Sequence, residues 1–138
     1  MQIKSLKILI KHKKIELDQI SAKLMAKKEQ MFQLSTQKQK LQDRLQNIEE
    51  DAIENVAKAL QSHKFASALR VEIKKIEDEM TKVTKEIEEI KSQLKEAFGQ
   101  KEGLEKMLKK LNNQIKEKEI IQEGRLADES FMRNFIAR

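Results

Sequence analysis

The residues of this chain that could act chemically are few and poorly placed for it. Its two histidines, His12 and His63, stand far apart, with no cysteine anywhere to complete a ligand set, so they predict neither a metal centre nor an acid–base pair. Adjacent carboxylates such as Glu88 and Glu89 would leave a helix on different faces. No glycine-rich phosphate loop, no HExxH and no nucleophile motif occurs. The sequence therefore predicts a protein that is not an enzyme, with no catalytic, cofactor-binding or metal-binding residues and no cofactor. Residues 1–40 carry ten lysines against Glu16, Asp18 and Glu29, a charge that could meet phosphates. No aromatic stacking platform or arginine-rich segment accompanies it, and Arg numbers five against twenty-four Lys, which argues against nucleic acid as the partner.

The elements that must carry these side chains follow from the apolar spacing. Alternating steps of three and four from Ile3 pass through Leu6, Ile10, Lys13, Leu17, Ile20, Leu24, Lys27, Met31, Leu34, Lys38, Leu41, Leu45 and Ile48. The count continues in phase through Ala52, Asn55, Ala59, Ser62 and Ala66 to Leu69, Ile73, Ile76, Met80, Val83, Ile87, Ile90, Leu94, Ala97, Lys101, Leu104, Leu108, Leu111 and Ile115. A period of about 3.5 residues keeps one narrow seam facing a partner helix in a left-handed supercoil. Composition agrees: 38% of residues are charged and 4% aromatic, Pro is absent, and no Gly precedes Gly99, so nothing in the first part breaks a helix. The lysines on the stripe can keep their methylenes in the seam and their charge in water, or fix register.

One helix cannot bury such a seam alone, so either the chain folds back as an antiparallel hairpin or two chains associate. The hairpin turn is expected where the stripe is weakest, from Ala52 to Ala66. The expected architecture is all-α, a long antiparallel two-helix coiled-coil hairpin in a single domain 1–138. Helix 1 spans about 3–58, the turn about 59–64, helix 2 about 65–122, and a C-terminal helical extension about 125–138. Phe98 to Gly103 is a rival turn, but the phase passes through it, so it reads as a soft spot. After Ile115 the repeat fails, and a new apolar stripe appears at Phe131, Met132, Phe135 and Ile136. With Ile8 and Leu9 at the other end, both termini are more apolar than a coiled coil requires; they either cap one another or bind another protein. The longest aliphatic run, Ile8 to Ile10, is too short to span a bilayer, which points to a soluble, cytoplasmic protein.

A basic first helix, Phe65, Leu69 and Ile73 opening a long second one, heptads to about residue 115, and the late element Leu126-Ala127-Asp128-Glu129 together resemble the FliJ family. FliJ and its YscO-type relatives are charged coiled-coil hairpins of flagellar and virulence type III secretion. The resemblance implies a non-enzymatic central stalk of the hexameric export ATPase, similar to the gamma subunit of rotary ATPases, cytoplasmic and peripheral to the inner membrane. The paired terminal ends would enter the ring, here Ile3, Leu6, Leu9, Phe131, Met132 and Phe135. The export-gate ring protein would be met near the hairpin tip through Phe65 and Leu69, with Leu45 and Ile48 suitably spaced on the first helix, where the family's tyrosines are missing. Export chaperones are further partners the resemblance implies. Two other readings of the same residues are a generic coiled-coil dimerisation scaffold and a basic nucleic-acid-binding rod.

Overall fold

The computed structural model describes residues 2–53 and 56–136, and in them the chain forms two helices packed against each other as a hairpin, with no strand. Helix α1 spans Gln2–Ala52 and helix α2 spans Val56–Ile136. Helices this long are not stabilised by propensity alone; burial of an apolar stripe along a second helix supplies most of their stability. The stripe is the one the spacing predicts. From Ile3 to Leu111 every described stripe residue is buried or half-buried, and nearly every residue between them is exposed. Asn55 of the stripe, its neighbour Glu54, and residues 137 and 138 of the C-terminal extension lie outside the described residues.

The chain divides into two compact units, each containing a length of both helices. In the unit formed by Asp18–Lys95 the core is Leu34, Val83 and Ile87, with Leu24, Met31, Ile76 and Met80 packed against it. Cross-helix ion pairs fix the direction: Lys27 meets Glu86 at 2.5 Å, Lys38 meets Glu77 at 3.4 Å, and Glu49 meets Arg70 at 2.8 Å. Partner numbers fall along α2 as they rise along α1, so the helices are antiparallel. In the other unit, Met1–Leu17 with Glu96–Arg138, the buried positions are Leu6, Ile10 and Ala97. Here Lys13 donates to the Gln100 side-chain oxygen at 2.5 Å.

The helix boundaries differ from those expected. Residues 59–64, expected as the turn, are helical; α1 already ends at Ala52, and the Ile53 amide donates to the Glu50 carbonyl at 3.3 Å in a tightened last turn. Glu49, Glu50 and Asp51 gather at the carboxyl end of α1, whose last turn holds no basic residue, and negative charge is unfavourable at that end of the helix dipole. In contrast, Ala59 and Ser62 are half-buried and Ala66 is buried, so the small residues serve as a thin seam. Helix α2 also runs unbroken through residues 98–103 and from 122 to 125.

Candidate partner-binding surfaces

The side chains that could do chemistry are dispersed. His12, His63, Glu88 and Glu89 are exposed, and no group of three potential metal ligands exists among the described residues. Glu16, one turn from His12, is taken by Lys13 at 2.9 Å. Glu86 is the carboxylate whose surroundings shift it clearly: the hydrogen bond from Lys27 holds it below its ordinary value, the Lys27 and Lys82 charges add to this, and desolvation opposes it. Polar stripe residues therefore serve the hairpin. Lys13, Lys27 and Lys38 each reach a partner on α2, and Lys101 meets Glu105 at 3.4 Å with its ammonium 5.8 Å from the centre of the Phe98 ring.

What remains is surface for partners. Of the residues expected at the export gate, Leu45, Ile48 and Leu69 are half-buried in the seam, while Phe65 is 59% exposed. The same unit carries exposed apolar residues that stripe counting misses: Ile53, Leu60 and Val71, and farther along α1 Met25 and Phe32. Their signal was an apolar residue off the heptad phase, which the strength of the phase itself obscured.

In the other unit Leu6 is buried, Ile3 half-buried and Leu9 half-exposed. Leu6 and Leu9, with Gln2 and Ser5, line a groove of about 630 Å³ whose other wall is Met107, Lys110, Leu111 and Gln114 of α2, and Ile3 lines a second one with Leu111, Gln114, Ile115 and Lys118. The second set expected at this end is elsewhere. Phe131, Met132 and Phe135 are exposed on α2, the two rings stacked with centroids 6.5 Å apart. At about 1.5 Å per residue, Phe131 lies roughly 25 Å beyond Gln114 along the helix. The structure thus does not bring the two terminal sets together, and they do not cap one another. From residue 112 to 136 every side chain of α2 is exposed, Ile120, Ile121 and Leu126 included.

No described helix is long and apolar enough to cross a membrane. Comparison with curated proteins and with solved structures gives no match. The family model described as Flagellar FliJ protein matches residues 3–138. With an antiparallel hairpin and its charged flanks now in place, the chain belongs to the FliJ family, the non-catalytic components of flagellar protein export.

Proposed function

We propose that the chain is the central stalk of the export ATPase ring, linking that ring to the export gate and passing export chaperones onward. One observation carries the reading. Helix α2 is exposed along all of residues 112–136, and its last turns end in the stacked Phe131–Phe135 pair. A single helix of that kind gains from burial in a surrounding wall, because its aromatic residues leave water only when a partner encloses them. A ring pore is such a wall. Leu9 and the exposed edge of Ile3 add apolar surface beside it, while buried Leu6 holds the two helices together beneath.

In the Asp18–Lys95 unit, Phe65 is the side chain offered to the export-gate ring protein, while Leu45, Ile48 and Leu69 keep the seam closed. The stalk performs no chemistry. It would favour ring assembly and transmit the ring's nucleotide-driven changes through paired helices, at the cytoplasmic face of the inner membrane and held there by the export complex.

The test is stimulation of the purified ATPase. Adding this chain should raise the hexamer fraction and the rate of ATP hydrolysis. The variant Phe131→Ala/Met132→Ala/Phe135→Ala should lose that effect while keeping its helical circular dichroism. A variant as stimulatory as the wild type would sink the assignment of this end to the ring.

A further inference from the structure

The groove at Leu9 and Met107 and the bare end of α2 lie in one row. Steps of four and three from Gly103 reach Met107, Lys110, Gln114, Glu117, Ile121, Gly124, Asp128, Phe131 and Phe135, and every one of these is exposed. The row is distinct from the seam that faces α1; Met107, Ile121, Phe131 and Phe135 are its apolar members, and Lys110, Glu117 and Asp128 its charged ones. A row with that period can wind against another helix carrying the same period, and the row is able to match a copy of itself.

We infer that two copies of this chain pair through residues 103–135 of α2, antiparallel and two-fold symmetric, each bare C-terminal end lying in the other's groove. The register proposed pairs opposite charges and joins the apolar members. When Glu117 stands opposite the partner's Ile121, Lys110 meets the partner's Asp128, Met107 meets the partner's Phe131, and Phe135 lies over the partner's Gly103. A Cβ added at Gly103 would find nothing within 4 Å, so a ring has room there. Sulfur against an aromatic ring is a favourable contact. Ile120, 66% exposed, flanks the symmetry axis and meets its own counterpart. The neighbouring register, one heptad on, sets Glu117 against the partner's Asp128 and Lys110 against the partner's Phe135. It places like charges together and is disfavoured.

The local ion pairs leave these groups available. Lys101 pairs with Glu105 and Arg133 with Glu129, while among the described residues Lys110 and Asp128 have no carboxylate or ammonium partner within the chain. Two-fold pairing uses each interaction twice, the arrangement of an isologous dimer. The inference stands apart from the stalk reading. It covers Phe131, Met132 and Phe135 with a second copy, so pairing and entry into a ring exclude each other, and the dimer would keep the apolar end out of water until the ring takes it.

The test is the solution mass by light scattering over about a hundredfold range of concentration. The mass should rise from 16.2 kDa towards twice that value. Lys110→Asp alone should weaken association about tenfold, and Lys110→Asp/Asp128→Lys should restore it. Circular dichroism should be the same for all three, since both side chains are exposed. A mass fixed at that of one chain at every concentration would overturn the proposal. So would a dimer indifferent to Lys110→Asp, because that dimer would be built on another surface or by exchange of helices between hairpins. ATPase stimulation is not read in this experiment, so its outcome leaves the stalk assignment to its own test.

Discussion

At the scale of single residues the hairpin is set by two kinds of seam position. Val83 is 2% exposed and sits at the centre of the core with Leu34 and Ile87. Val83→Ala should cost about 2 kcal/mol, by lost burial and the cavity left behind, and denaturant unfolding would measure it. Lys27 and Glu86 are of the other kind, polar groups that close across the helices. The Lys27 hydrogen bond, ahead of the Lys27 and Lys82 charges, holds the Glu86 carboxyl below its ordinary value. A carboxylate depressed by folding stabilises the native state above its unfolded value and loses that contribution as pH falls through its folded value. Thermal unfolding followed from pH 7 down to about 3 should therefore show a smaller acid loss in Glu86→Gln than in the wild type. Both groups are about one-third exposed, so solvent screens the pair and the difference should be modest.

At the scale of the helices, the chain trades local propensity for a continuous seam. Gly99 interrupts a good helix-forming sequence, and a Cβ there would meet nothing within 4 Å. Gly99→Ala should thus stabilise α2 by about 1 kcal/mol, visible as a higher melting temperature. An unchanged or lower one would mean that this glycine answers to something besides the helix. Most of this layer was legible in residue types: the phase counted from Ile3 is the buried seam as far as Leu111, because apolar spacing and burial share one geometric cause. Two things were not. Ala59, Ser62 and Ala66 are too small to separate a thin seam from a loop, and the acidic end of α1, not loop chemistry at 60–64, marks where the first helix stops. The terminal apolar sets also looked like neighbours. With 51 residues in α1 and 81 in α2, the second helix outruns the first, and Phe131 passes beyond Leu9. Phe65 and Leu69 read alike in the sequence as apolar residues opening the second helix, and only exposure separates Phe65 from Leu69, which the seam uses.

At the scale of the whole molecule, the function proposed rests on surfaces outside the seam. Removing residues 116–138 should leave the hairpin's melting temperature nearly unchanged, because every described side chain from 116 to 136 is exposed, but should abolish the stimulation of the export ATPase proposed for it. The central claim is that the bare end of α2 occupies the pore of that ring. Electron cryomicroscopy of the ATPase assembled with this chain tests it most directly. The expected image is one chain per hexamer, with helical density inside the pore ending at the level of Phe131 and Phe135. An empty pore in hexamers that carry the chain on their outer surface would contradict the account.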